Sequence, residues 1–389
     1  MVQDKKNISN IIIGSQYFLY FGVMGISLPY FNLYCYHINL SGFEIGILSA
    51  VRSLTMILFP IIWGIVADRF SARRHIYILF NFLSAGIWAF YLYTDNFHVM
   101  LLITLCYGVF FTPLISFLEA FTMDILAGEK KSYGKIRVWG TISFIIVTTI
   151  LGVMIDYFPI KIIILLILAG SLIQALISTK IPKTATQRNL SGSIFKRNIN
   201  RRIILFLFCG FLMLMSHGAY YGFFSIHLER LGYGNTFIGI TWALASISEM
   251  LVMINSDKIF KSFTLEKVLV FSFLAAALRW FILYCAESPG LILFSQIFHA
   301  ITYGTFHIAS ILYIDLLTDD FNKTFGQAVN NAVSYGLGMM VGFFLSGYLY
   351  ESAGSSFLFL MSSFMALSGG IVLWCFGFLT EKPVKGYLS

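Results

Sequence analysis

The chain has 389 residues, of which 58% are hydrophobic and only 11% charged. Soluble globular domains carry about 25% charged residues, so a soluble fold of this composition would leave far too much apolar surface in water. The net charge of +8 sits in short polar breaks and reads as a membrane-topology signal, which excludes a nucleic-acid site.

The first apolar run, near Ile11 to Tyr34, is longer than a signal-peptide core and lacks a small-residue cleavage site. It reads as a retained helix. Further runs follow, giving twelve spans near 10–34, 43–66, 75–93, 98–123, 138–155, 160–179, 203–227, 236–255, 268–286, 290–315, 327–348 and 355–379. Backbone amides cannot go unpaired in lipid, so spans of this length are helices. The expected class is an all-α membrane protein with twelve transmembrane helices. Cys35, Cys106, Cys209, Cys285 and Cys375 lie in or at the ends of apolar runs without a CxxC pair. They read as packing residues, with no metal site or disulfide framework. No nucleotide-binding loop or nucleophile–base pair appears, so neither an enzyme nor a cofactor is expected.

With the N-terminus inside, the cytoplasmic loops and tails collect 21 of the 26 Lys and Arg residues, and the outer loops hold Lys161 and Arg230. That bias places both termini in the cytoplasm. The longest polar break, "KIPKTATQRNLSGSIFKRNINRR" from Lys180 to Arg202, divides the spans six and six. The expected organisation is an N-terminal six-helix half (1–180), a cytoplasmic linker (181–202) and a C-terminal six-helix half (203–389). "FEIGILSA" at 43–50 echoes "TFIGITWA" at 236–243, each opening the second helix of its half. Two repeated halves are a transporter architecture, with the substrate near the midplane between them.

Ionisable groups within membrane helices are costly and mark function. Arg52 lies in the second span, Glu119 in the fourth, Glu249 in the eighth, Arg279 in the ninth and His299 in the tenth; Arg137 opens the fifth. At about 1.5 Å per residue, Arg52, Arg279 and His299 fall near the midplane. These groups are best placed facing a shared aqueous cavity; the alternative is structural ion pairing between helices. Asp124, Asp315, Asp319 and Asp320 lie near cytoplasmic ends and are either solvated or gate-forming. His217 and His307 suit helix–helix hydrogen bonds.

"GIVADRFSARRH", starting at Gly64, resembles the major facilitator superfamily signature between helices two and three. Gly64, Asp68, Arg69, Arg73 and Arg74 occupy its positions. The resemblance implies the major facilitator fold and a gating role for Gly64, Asp68, Arg69 and Arg73, with Gly64 permitting close helix approach. A basic topology loop is the other reading of Arg73 and Arg74. "LEAF" with Glu119, eighteen residues before Arg137, resembles helices four and five of lactose permease and its relatives. "SYGKIRVWGT" (132–141), "AYYGFFSIHL" (219–228), "LRW" (278–280) and "FHAITYGTFHIAS" (298–310) resemble segments of the phenylpropionate permease family, and Arg52 matches an Arg there. Substrate binding by Arg52, Glu119, Arg137, Tyr220, Tyr221, Arg279 and His299 is what these resemblances imply. Lactose permease has its proton-carrying carboxylate three residues after the helix-ten His. This chain has Thr302 there, which leaves Glu249, Glu119 and His299 as proton carriers.

The expected function is proton-coupled symport of a small organic solute by alternating access, by a monomer embedded in lipid of the bacterial inner membrane. Arg52 and Arg279 suit a carboxylate, and Tyr220, Tyr221, Trp139 and Trp280 suit an aromatic ring, although the aromatics also suit packing. A sugar or nucleoside symporter and a non-transporting receptor or scaffold are the alternatives.

Overall fold

The computed structural model describes residues 2–126, 133–182, 201–318 and 323–378; these form helices joined by short turns, with no strand among them. Most of the basic linker, Asp319, Asp320 and the tail from 379 lie outside the described residues.

Ten apolar helical stretches are long enough to cross a membrane. They supply α1 (Ile8–His37), α2 (Gly42–Arg69), α3 (Arg73–Tyr93), α4 (Phe97–Leu126) and α5 (Tyr133–Tyr157). After the shorter α6 (Ile162–Ser178) come α7 (Arg201–Arg230), α8 (Asn235–Ile254), α9 (Leu265–Cys285) and α10 (Pro289–Leu317). The last stretch, Phe325–Phe376, is interrupted at Gly354, whose φ is 78°. Glycine enters that left-handed region without a Cβ penalty, so the stretch divides into α11 (325–353) and α12 (355–376). The arrangement is consistent with twelve crossings.

Local sequence explains the helix starts. Ser41 and Glu44 form a reciprocal cap on α2: the Ser41 hydroxyl accepts from Glu44 N at 3.3 Å, and Glu44 Oε2 accepts from Ser41 N at 2.8 Å. Asn96 Oδ1 accepts from His98 N and Val99 N at the start of α4. Pro289 opens α10, where a missing N–H costs nothing.

Contacts group the chain into two units. The first contains 1–40, 54–190 and 234–240; the second contains 41–53, 191–233 and 241–389. In the first, α1 packs along α5 and α6. Buried polar side chains stitch its helices together: Tyr30 Oη donates to Thr148 O at 3.0 Å, Trp88 Nε1 to Ile164 O at 3.0 Å, and Tyr77 Oη to Gln16 Oε1 at 2.7 Å. In the second, α9 packs along α11–α12 and α7 joins them.

The start of α2 thus belongs to the second unit and the start of α8 to the first. Each is held in the same way. Glu351 at the end of α11 accepts from Gly42 N at 2.7 Å, and Asp156 at the end of α5 accepts from Asn235 N at 2.8 Å and Thr236 N at 3.1 Å. One turn on, a Cβ at Gly46 would lie 2.8 Å from Gly347 Cα, and one at Gly239 would lie 2.6 Å from Thr148 O. The echoed "FEIG" and "FIG" segments are therefore repeated points of backbone contact, where only glycine lets the helices touch.

Candidate functional site

A buried polar cluster lies inside the second unit, where three helices lose regularity. α7 breaks at His217 between Arg201–Ser216 and Gly218–Arg230. α10 passes into a π-helical segment, Ala300–Thr305, directly after His299, and α11 has another at Asn331–Gly338. Such segments recur at functional sites, and non-regular backbone at membrane depth is tolerated where it is buried in protein or lines a cavity.

Arg279 on α9 is at the centre and is 0% exposed. Its Nη1 donates to His299 Nδ1 at 2.8 Å and to Thr302 Oγ1 at 3.2 Å, and its Nη2 donates to Gln296 Oε1 at 3.0 Å. The guanidinium carbon lies 4.3 Å from the Tyr220 ring centroid and 4.6 Å from that of Trp280. All these partners are uncharged when His299 is neutral. Arg279 Nε has no partner. Tyr220 Oη also donates to Gln296 Oε1, at 3.0 Å.

This geometry fixes the imidazole. A guanidinium can only donate, so Nδ1 of His299 is the acceptor and Nε2 carries the proton of the neutral ring. Nε2 lies 3.5 Å from Glu249 Oε2 and 3.5 Å from Tyr221 Oη. The Glu249 side chain is 23% exposed, against 6% for His299. Arg279, His299 and Glu249 are therefore in series. The imidazole stands between Arg279 and Glu249.

Arg279, His299, Glu249, Tyr220 and Tyr221 thus come together. Gln296, which the sequence reading passed over, belongs with them. Its signal was an amide in an apolar helix, one turn before His299. Thr302, one turn after, accepts from the same guanidinium. His217 and His307 also pair: His217 Nδ1 donates to Met213 O at 2.8 Å, and His307 Nδ1 meets Tyr335 Oη at 2.7 Å. The first bond stays within α7; the second joins α10 to α11, as expected of a helix–helix contact.

The first unit holds a second cluster. The Arg137 guanidinium carbon lies 3.9 Å from the Phe21 ring centroid and 5.5 Å from that of Tyr17. Glu119 lies within electrostatic range of Arg137 and Tyr133. Tyr17 Oη meets Thr122 Oγ1 at 3.2 Å. The arginine rests on aromatic faces of α1, with the carboxylate nearby. Arg52 is half-buried on α2, within the segment assigned to the second unit. Trp280 is buried, its Nε1 donating to Ser216 Oγ at 3.2 Å, whereas Trp139 lies against Gly14 and is half-exposed.

In the loop after α2, Arg73 bridges two carboxylates. Its Nη2 is 3.0 Å from Asp68 Oδ1 and its Nη1 is 3.1 Å from Asp124 Oδ2. Arg74 donates to Ile181 O and Thr179 O. Arg69 is beside Phe70. The close approach expected at Gly64 is absent: a Cβ there meets nothing within 4 Å, so its lack of a side chain serves no contact in this structure. Asp315 pairs with Lys323 at 3.2 Å. Among the described residues, no group of His, Cys, Asp and Glu is arranged to hold a metal ion.

The MFS_1 like family model matches residues 11–361. The chain belongs to this family of the major facilitator superfamily: it is a multi-pass membrane transporter and not an enzyme. It is 27% identical over 360 residues to a protein of Escherichia coli (strain K12) described as a probable 3-phenylpropionic acid transporter, covering 89% of this chain and 92% of that one. It is 23% identical over 367 residues to a maltose permease of Geobacillus stearothermophilus, covering 92% of each. A crystal structure of the nucleoside transporter NupG superposes with a TM-score of 0.82 at 16% identity, covering 94% of this chain and 98% of that one. That likeness speaks for the fold alone.

Proposed function

We propose that this transporter carries a small aromatic carboxylate inward together with a proton, across the bacterial inner membrane, with both termini cytoplasmic. The observation that carries the proposal is the buried Arg279, held by three neutral acceptors with its Nε–H unpaired. An isolated buried charge is expensive. A carboxylate neutralises it and matches the planar fork of donors. Tyr220 and Trp280 already stack on the guanidinium and offer apolar faces to a ring. The relative described as a probable 3-phenylpropionic acid transporter supports the same substrate class.

The series arrangement supports proton coupling. Protonating His299 puts a proton on Nδ1, which can then no longer accept from Arg279 Nη1. The guanidinium must part from the ring, which frees one Nη1 N–H to join the unpaired Nε–H in binding a substrate carboxylate. Glu249, partly exposed, is the group that exchanges a proton with solvent, and its charge state decides whether the Nε2–H faces a carboxylate or a carboxylic acid. Alternation of the halves 1–180 and 203–389 would open the site to each side in turn, with Asp68, Arg69 and Arg73 acting in gating. Arg52, Glu119 and Arg137 complete the substrate-contacting set.

A sugar or nucleoside is the second reading. Glu119, Arg137, Tyr17 and Tyr133 form a cluster of acceptors and donors suited to hydroxyl groups. Uptake by proteoliposomes of radiolabelled 3-phenylpropionate, maltose and uridine separates the two. Accumulation of the acid alone supports the first reading, accumulation of a sugar or nucleoside alone supports the second, and uptake of none contradicts both and points to another solute.

A further inference from the structure

A cavity of about 410 Å³ lies between α1 and α5, lined among others by Asn10, Ile11, Gly14, Phe18, Lys135 and Trp139. None of these residues belongs to either polar cluster. The cavity lies near the N-terminal ends of both helices. Gly14 leaves room for the indole of Trp139, which stands 3.4 Å from where a Cβ would be.

The face of α5 that carries this cavity is the lipid-facing one. Trp139 is 50% exposed, and below it Ile146, Ile150 and Val153 are 44%, 55% and 43% exposed. Their spacings of seven, four and three residues place all four on one helical stripe. An exposed apolar stripe on a membrane helix meets acyl chains. Arg137, by contrast, turns its guanidinium onto Phe21. The indole lies at the end of the stripe, where Trp marks the membrane–water boundary. Lys135 is one turn nearer that end. It is exposed and forms no ion pair among the described residues. Asn10 Oδ1 is buried without a partner.

We infer that this groove binds an anionic phospholipid of the leaflet facing the N-terminus. Lys135 meets the phosphate, Trp139 Nε1 donates to the headgroup or ester oxygens, and one acyl chain lies along Ile11, Gly14 and Phe18. The commitment to an anionic lipid rests on charge: a lysine with no ion pair among the described residues stands over an apolar slot, and basic pockets between membrane helices on the cytoplasmic side recognise such headgroups. A zwitterionic lipid brings its own cation and gains nothing from Lys135.

The test uses the full-length protein in nanodiscs doped with phosphatidylglycerol or phosphatidylcholine carrying brominated acyl chains. Bromine quenches indole fluorescence at contact. The part of the quenching due to Trp139 is isolated by subtracting the signal of Trp139→Phe. Phosphatidylglycerol is expected to quench that component at a mole fraction about fivefold lower than phosphatidylcholine does, the preference one basic residue confers near a membrane surface. Lys135→Gln should erase the preference, and Lys161→Gln, on another loop, should keep it. Equal quenching by the two lipids, or an unchanged preference in Lys135→Gln, overturns the inference.

Discussion

Arg279 Nη1 and His299 Nδ1 are 2.8 Å apart, and because the arginine can only donate, the pair exists only while that ring nitrogen is unprotonated. One proton on His299 therefore changes what Arg279 is free to bind. Glu249 lies on the far side of the ring, 3.5 Å from Nε2, and its proposed role is to exchange a proton with solvent.

Arg279→Lys keeps the charge and loses the fork. An ammonium in the place of Nη1 can still reach His299 and Thr302 but loses the bond that Nη2 makes to Gln296. With charge-assisted hydrogen bonds worth about 1.5–3 kcal/mol each, uptake of the acid at low concentration should fall by about 10- to 100-fold. Binding of 3-phenylpropionate, followed by its stabilisation of purified protein against heating, should weaken in parallel. Unchanged binding would remove Arg279 from the substrate site.

Asp68→Asn breaks one arm of the Asp68–Arg73–Asp124 bridge. The Asp68 side chain is 59% exposed, so little folding stability is at stake. Transport should slow while ligand affinity stays within a few-fold. Lost affinity with normal transport rates would be the opposite pattern.

Gly46 and Gly64 should respond in opposite ways to a methyl group. A Cβ at Gly46 drives into Gly347, while one at Gly64 meets open space. Gly46→Ala should lower the melting temperature of the purified protein, consistent with an overpacking cost of about 1–3 kcal/mol. Gly64→Ala should leave it unchanged. A silent Gly46→Ala would mean that α2 does not lie on α11 in the membrane.

A reporter enzyme active only outside the cytoplasmic membrane, fused after Ser389, should be inactive. The expectation rests on the distribution of Lys and Arg over the loops. An active fusion would invert the topology.

The helices were legible because each span must satisfy its own backbone in lipid, and the chain writes that requirement as long apolar runs. Arg279, His299 and Glu249 were legible because charges in such runs are conspicuous. Gln296 was not, since an amide costs less to bury and stands out less. The π segment after His299 has no sequence mark at all, yet it lies beside the cluster where α9 and α10 meet. Gly46 and Gly239 were visible as an echo between the two halves. Their reason, backbone touching backbone, needed the positions of α5 and α11. Gly64 shows the reverse: a motif position whose glycine has no contact to permit in this structure.

Accumulation of radiolabelled 3-phenylpropionate by proteoliposomes under an imposed pH gradient tests the coupling most directly, compared between the unaltered chain and Glu249→Gln. The unaltered protein should concentrate the acid and lose that ability when a protonophore collapses the gradient. Glu249→Gln should still exchange labelled for unlabelled acid across the membrane but should not concentrate it. Uphill accumulation by Glu249→Gln equal to that of the unaltered chain would contradict coupling through Glu249 and His299.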